Sequence, residues 1–257
     1  MERSAHTAAP HTPLAGRPSS ALRFRAFDVL ATLLILPFAL LLGAVIALAI
    51  IADSPGPVLY RSRRVGYAGQ PFPMLKFRKM RRDTSGSTLT AYDDDRFTPI
   101  GRFLTATRLD ELPQLWNVLK GDMRLVGPRP ELEEFVALYS DQYDEILSVR
   151  PGLTGAAQLE FFQESRVFGN AHDHSGFYSE AILPRKVQLD LAYVRNRRLR
   201  TDLAILVKTL FLPLQASARK LVAAVAAQPA SHLVAYAALA ICALLVLVAY
   251  ATHTILY

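Results

Sequence analysis

Between Asp28 and Asp53 the chain reads VLATLLILPFALLLGAVIALAIIA, a run with no charged residue. About 20 helical residues cross a hydrocarbon core, so this segment is long enough to enter a bilayer. It starts too late and runs too long for the apolar part of a signal peptide. Pro37 falls inside it, where it removes a backbone donor and tends to kink a helix. The flanks are balanced in charge: Arg17, Arg23 and Arg25 precede the run, and Arg61, Arg63 and Arg64 follow it. A spanning helix carries its basic residues mainly on the cytoplasmic side. A kinked, re-entrant helix over residues 23–52, entering and leaving by one face of the membrane, accounts for the tie.

A second charge-free run, LVAYAALAICALLVLVAYAT, occupies Leu233 to Thr252. Arg219 and Lys220 lie upstream and no Lys or Arg lies downstream. This predicts an ordinary transmembrane helix in the C-terminal segment 216–257, with its N-terminal end in the cytoplasm. Residues 1–22 are rich in Ala, Pro, Ser and Thr without a period and predict a disordered tail. The single cysteine, Cys242, sits in the second run and excludes an intramolecular disulfide framework.

Residues 53–215 remain, enough for one domain with its own core. Turn signals at DSPGP and GYAGQP predict a β-hairpin with strands near Val58–Arg61 and Phe72–Phe77. From Ser54 through Arg82 there is no acid but there are eight basic residues, including Lys76, Arg78 and Lys79. The net charge of +7 points the same way, toward an anionic partner. One reading is a basic surface facing anionic lipid. The other has Lys76 and Arg78 holding substrate phosphates. Nucleic acid is excluded as a partner, because no docking element accompanies the basic residues. The aspartates Asp93 to Asp95 lack the spacing of a calcium loop and read as a solvated loop. His172 and His174 have no third partner for a metal and are left out of the site.

The stretch TRLDELPQLWNVLKGDMRLVGPRP, Thr107 to Pro130, carries the densest chemistry. Leu109, Leu112, Leu115, Trp116 and Leu119 recur at helical spacing and predict a core-facing stripe. Pro113 is tolerable only in a first turn, so the helix starts near Leu109 to Leu112 and ends at Gly121. Asp110, Gln114 and Asn117 align along another face. Thr107 with Asp110 fits a capping box, which needs no chemistry. The alternative is an acid site: two adjacent carboxylates, Asp110 and Glu111, repel each other, and a magnesium ion relieves the repulsion while taking phosphate oxygens as further ligands. Arg129, held between Pro128 and Pro130, is a stiffly mounted guanidinium suited to gripping a phosphate. Residue chemistry alone does not choose between cap and site.

Five blocks occur in order: SPGPVLYRSRRVG, FPMLKFRKM, GRFLTATRLDELPQLWNVLKGDMRLVGPRPE, RPGLTGAAQLE and LDLAYVRNRRLRTDLAILVKTL. Together they resemble the bacterial sugar transferase family, the monotopic polyprenyl-phosphate phosphoglycosyl transferases. The resemblance runs from about Arg25 to Leu210. It implies a helix-rich α+β domain facing the cytoplasm, held on the bacterial inner membrane by a re-entrant helix. It implies transfer of a sugar 1-phosphate from a UDP-sugar to polyprenyl (undecaprenyl) phosphate, with UMP leaving and a lipid-linked glycan begun. The matching positions make Asp110 the nucleophile, Glu111 a support for Mg2+ alongside it, and Arg129 a phosphate ligand. Gln114, Asn117, Pro128 and Pro130 fall in the same blocks as supporting positions.

Two departures stand out. Members commonly carry an arginine five residues before the nucleophile, where this chain has Thr105; Arg108 or Arg102 is then expected to supply the phosphate-binding charge. Members often have Ser-Pro at the membrane-helix break, where this chain has Leu36-Pro37. The missing arginine also admits a non-catalytic scaffold that binds anionic lipid, which the intact Asp110, Glu111 and Arg129 oppose. Nothing in the sequence fixes the sugar, the glycan pathway or the oligomeric state.

Overall fold

The computed structural model describes residues 18–82, 94–162 and 174–226. The predicted tail up to residue 17, Asp93, His172 and the run from Leu233 to Thr252 lie outside the described residues.

The first helix, α1, spans Pro18–Asp53 and continues through Pro37. It is the one helix among the described residues long and apolar enough to cross a membrane. A single stripe of it meets protein. Asp28, Thr32, Ile46 and Ile50 are buried, and Ala31 and Ala39 rest on the core. These spacings are one helical face. The opposite face exposes Leu30, Leu34, Phe38, Leu41, Val45 and Leu48. The helix therefore lies along the domain and presents an apolar flank of the kind that normally requires a covering phase.

A turn at Gly56, whose φ of 128° suits glycine, leads into β1, Leu59–Val65. This strand pairs antiparallel with β2, Pro71–Phe77, from Leu59 opposite Phe77 to Val65 opposite Pro71. The hairpin is the predicted one with a longer first strand. Helix α2, Pro99–Thr107, begins at Thr98, whose Oγ1 accepts the Gly101 N–H at 3.0 Å, and Pro99 supplies the preset φ of a first helical position. A 3₁₀ turn at Leu109–Glu111 follows, then α3, Gln114–Lys120, closed by Gly121 at φ 89°.

A second, parallel pair joins β3, Arg124–Val126, to β4, Gly152–Thr154. The connection carries α4, Glu133–Leu138, and α5, Ser140–Ile146. After α6, Ala156–Glu160, the described chain resumes with α7, His174–Phe177, a π-helical turn at Tyr178–Ile182, and α8, Leu183–Arg195. The last helix, α9, spans Leu199–Ala226. The result is a helix-rich α+β domain, as predicted.

Among the described residues, three apolar clusters hold it together. Phe135, Tyr143, Ile146, Tyr178 and Leu183 join α4, α5 and the π turn to α8. Met74, Leu115, Val118, Met123, Val126 and Ile205 form the centre between the two strand pairs and α9. Ile46, Ile50, Phe77 and Leu104 fix α1 to β2 and α2.

The stripe predicted on α3 needs correction. Leu115 is buried, and Leu109 and Leu112 pack on the third cluster, but Trp116 is 57% exposed. Val118, outside that stripe, is fully buried. The interruption between Glu111 and Gln114 puts Leu109 and Trp116 on different turns, so one 3.6-residue period does not run through both. The face read as polar is buried as well, at Asp110, Gln114 and Asn117.

Candidate active site

The two acids sit on the 3₁₀ turn, and its entry is unusual. Arg108 adopts φ 61°, ψ 13°, a left-handed conformation that a long side chain rarely takes and that tends to cluster at functional sites. The capping box that Thr107 and Asp110 fit by spacing does not form, since this turn has no side-chain cap. Thr107 closes α2 instead, its Oγ1 donating back to the Phe103 carbonyl at 2.8 Å. The leucines that flank the acids, Leu109 and Leu112, pack beside Ile46 and Ile50 of α1. The acid turn is thereby seated on the apolar helix.

Among the described residues, four cations surround the pair. Glu111 Oε1 receives Arg129 Nη2 at 2.8 Å, Lys76 Nζ at 3.4 Å and Arg108 Nη1 at 3.7 Å. Asp110 Oδ2 lies 3.9 Å from Lys79 Nζ. Burial works against the charge on Glu111, but Arg129, Lys76 and Arg108 outweigh it and hold this carboxyl well below the usual range. Asp110 moves the other way: burial pushes its carboxyl up, the neighbouring Glu111 adds to this, and Lys76, Lys79 and Arg108 pull it back. A helix N-terminus favours the ionised carboxyl, but a three-residue turn sums too few peptide dipoles to outweigh burial here. Lys76 is lowered to about 8, first by burial and then by Arg129 and Lys79. The pair is thus split into one anchored, low-pKa carboxylate and one more basic carboxylate. Such divergence between adjacent titratable groups is how a site assigns them different roles.

The other sequence-derived positions fall into place around this. Arg108 also donates to the Phe162 carbonyl at 2.7 Å and stands over the Phe162 ring. Arg78 is not brought to the acids. Its guanidinium donates to the carbonyls of Ser54 and Pro55, both at 2.6 Å, and closes the C-terminal end of α1. Strand alternation would put residues 76 and 78 on one face, but β2 ends at Phe77 and the phase slips, bringing Lys79 to the site instead. Asn117 clamps β2, accepting the Leu75 N–H at 3.0 Å and donating to the Pro73 carbonyl at 2.9 Å. It supports Lys76 through the backbone. Gln114 is buried with neither amide atom partnered. Among the described residues no three His, Cys, Asp or Glu side chains group as a metal cage. Asp95 is exposed as expected, but Asp94 is tied to Arg96 at 2.6 Å.

Pro128 and Pro130 are buried on either side of Arg129. The loop is tied down through the Pro128 carbonyl, which accepts Gly152 N–H at 2.8 Å, and the Glu131 carbonyl, which accepts Val65 N–H at 3.0 Å. Behind it lies a buried polar network that the sequence did not single out. Tyr178 donates to Glu131 Oε1 at 2.6 Å and Lys186 donates to the Tyr178 hydroxyl at 3.1 Å. The π turn, a feature often found at functional sites, carries Tyr178.

Asp190 completes this network by accepting the Arg129 backbone N–H, while its Oδ1 has no hydrogen-bond partner. Burial drives its carboxyl well above the ordinary range; Glu131 adds to this, and Lys186 and Arg129 oppose it. A group with a raised folded pKa stabilises fully below its unfolded value, about 3.9, and loses that contribution as pH rises through the folded value. Asp190→Asn keeps the shape and an acceptor for Arg129 but does not titrate. Its melting temperature relative to the native chain should therefore rise as pH is raised from 4 to 8. A relative gain that grows toward low pH instead would contradict a buried, proton-holding Asp190.

The sequence profile described as "Bacterial sugar transferase" matches residues 20–216. The UDP-glucose:undecaprenyl-phosphate glucose-1-phosphate transferase of Caulobacter vibrioides is 38% identical over 193 residues, covering 73% of this chain and 68% of that protein. The exopolysaccharide production protein ExoY of Sinorhizobium fredii is 36% identical over 228 residues, 81% of this chain and 93% of that one. The undecaprenyl-phosphate galactose phosphotransferase of Salmonella typhimurium is 37% identical over 213 residues, 76% of this chain but 41% of that protein. The chain thus spans well under half the length of some relatives it matches and nearly all of others. Since the profile takes in α1, the acid turn and the Arg129 loop together, the chain belongs to the bacterial sugar transferase family.

Proposed function

We propose that the chain transfers a sugar 1-phosphate from a UDP-sugar to polyprenyl (undecaprenyl) phosphate, releasing UMP and starting a lipid-linked glycan such as an exopolysaccharide, capsule or O-antigen. The observation that carries this is the buried acid pair inside a shell of four cations, on a turn packed against an exposed apolar helix. The names of the relatives, which act on undecaprenyl phosphate with glucose or galactose donors, support the same reading.

Four cations against two carboxylates leave a local excess of positive charge, which suits diphosphate and phosphate substrates. In this reading an Asp110 oxygen attacks the sugar-bearing phosphorus of the donor. The bond from that phosphorus to the bridging oxygen breaks, and UMP leaves with the electron pair. An oxygen of the lipid phosphate then attacks the aspartyl phosphosugar and returns Asp110 to its carboxylate. Splitting the transfer keeps the two anionic substrates from having to meet directly. Arg129, Lys76 and Arg108 hold phosphoryl oxygens, with Glu111 keeping the three in register. Asp110 and Glu111 would also hold a magnesium ion: they offer hard oxygen donors, and the cation contacts on Glu111 all go to Oε1. That ion would neutralise charge on the transferring phosphoryl group.

The helix α1 is read as re-entrant in a bacterial inner membrane, with the domain on the cytoplasmic side. Asp28 near its start and Ile50 near its end both pack on the same domain, which suits a helix that leaves by the face it entered. The acid turn beside Ile46 and Ile50 would then sit at headgroup depth, where a lipid phosphate lies. The test is UMP release by the purified full chain with undecaprenyl phosphate and magnesium, over UDP-glucose, UDP-galactose and UDP-N-acetylgalactosamine. Release with one donor, dependent on the lipid for continued turnover, is expected. No release across a broad panel of UDP-sugars would overturn the assignment and favour a lipid-binding scaffold.

A further inference from the structure

Lys79 is the residue at the acid pair that the sequence motifs did not separate from the basic stretch around it. Its Nζ is 3.9 Å from Asp110 Oδ2 and 5.4 Å from the centre of the Phe97 ring, and the side chain is 23% exposed. Among the described residues it is the cation within ion-pair distance of Asp110, whereas Glu111 has three. Its backbone is held on both sides. The Lys79 carbonyl accepts Thr98 N–H at 3.1 Å, and Met80 bridges to Phe97. A Cβ on Gly101 would lie 1.8 Å from the Lys79 carbonyl oxygen, so α2 approaches this closely only because residue 101 is glycine. The local structure therefore fixes the direction from which the ammonium reaches Asp110.

We propose that Lys79 is the charge partner of the attacking carboxylate: it orients Asp110 Oδ2 and offsets its charge while the phosphosugar bond forms, a role separate from the Glu111-centred cations that hold phosphate. The division follows from the contacts. Arg129, Lys76 and Arg108 converge on one oxygen of Glu111, and a nucleophile gripped in that way would have its lone pairs taken up. The Lys79 ammonium at 3.9 Å offsets charge on Asp110 without occupying it, alongside the fields of Lys76 and Arg108, whose own contacts go to Glu111. The cation is also an ammonium and not a guanidinium, a compact point charge without the fork that binds a carboxylate bidentately. Arg108 cannot replace it, since its guanidinium is shared between Glu111 and the Phe162 carbonyl.

This proposal rests on the covalent reading of Asp110, and the experiment separates the two. The purified full chain is mixed with the donor that gives UMP release, without lipid acceptor. The rate and amplitude of the first UMP burst and the mass of the Asp110 peptide are recorded, and steady-state kcat and KM are measured with undecaprenyl phosphate. Lys79→Met should slow the burst and kcat roughly tenfold to a hundredfold, less than the usual loss for a direct donor given the 3.9 Å separation. The donor KM should change less than about twofold, because the phosphate-holding cations are intact. Lys79→Arg should recover only part of the rate, because its guanidinium restores the charge but can also grip Asp110 bidentately. Lys79→Cys in a Cys242→Ser background, assayed before and after aminoethylation, restores the charge within one folded sample and removes folding as an explanation. A burst in Lys79→Met equal to that of the native chain would overturn the proposal, as would a loss confined to KM or an aminoethylated Lys79→Cys variant no faster than its unmodified form. If the native chain forms no phosphosugar on Asp110, the covalent reading fails and the proposal falls with it.

Discussion

Asp110→Asn is expected to lower UMP release by about 10⁴-fold or more, the scale seen when a covalent nucleophile is removed. The variant should still insert in membranes and melt close to the native chain. The exchange keeps side-chain volume at a site where Asp110 is 3% exposed, so no cavity forms. It also removes a charge that burial and Glu111 already disfavour, so the folded state loses little. The rate loss is therefore not a stability effect. The two readouts are UMP release with undecaprenyl phosphate and magnesium, and intact mass after incubation with donor alone. The native chain should gain one sugar phosphate and the variant none. Retention of UMP release by Asp110→Asn would mean that the nucleophile lies elsewhere, and Glu111 would not be the substitute. Three cations hold Glu111 in its ionised form and occupy one of its oxygens.

What the sequence made legible was local. The apolar helix and the hairpin are each encoded within a short run of neighbouring residues and are found near where they were predicted, and the helix predicted to end at Gly121 does end there, though it begins after a separate 3₁₀ turn. Errors arose where a local rule met a long-range contact. Thr107 has the spacing of a cap, but Arg108 turns left-handed beside it, and the turn that follows has no side-chain cap. Trp116 has the spacing of a core residue, yet the break at Pro113 rotates α3 and leaves it exposed. Arg78 and Lys79 are adjacent cations of the same type, and only the end of β2 at Phe77 decides which one meets the acids.

Buried polar partnerships were the least readable. Glu131, Tyr178, Lys186 and Asp190 lie as far as 59 positions apart, counting from 131 to 190, and none carries a local sign of burial. Glu131, Lys186 and Asp190 are ordinary surface residue types and Tyr178 an intermediate one. Their grouping follows from β3 and β4 pairing in parallel, which brings the Arg129 loop against α8.

The largest effect on stability should come from Arg124, which seals α1 to the domain. Its guanidinium donates to Asp28 Oδ2 of α1 at 2.7 Å and to Asp202 Oδ2 of α9 at 2.9 Å. Tyr193 also donates to Asp202, at 2.7 Å. All four side chains are buried, and the Phe24 ring of α1 lies between Arg124 and Arg197, at 4.5 and 4.0 Å. Removing the cation leaves two carboxylates in a low-dielectric site without a hydrogen-bonded counter-charge, with only the field of Arg197 to offset them. Breaking such a buried pair typically costs about 3–5 kcal/mol, more than the pair itself contributes. Arg124→Ala should therefore lower the melting temperature of the detergent-solubilised chain by roughly 10 °C. It should also expose the junction around Phe24 and Asp28 to protease. Combining Arg124→Met with Asp28→Asn and Asp202→Asn removes all three charges while retaining volume, and should return much of the loss. If Arg124→Ala alone melts like the native chain, the three-way ion network is not what holds the membrane helix to the domain. If the triple variant is no better than the single one, the loss comes from packing around Phe24 and not from uncompensated charge.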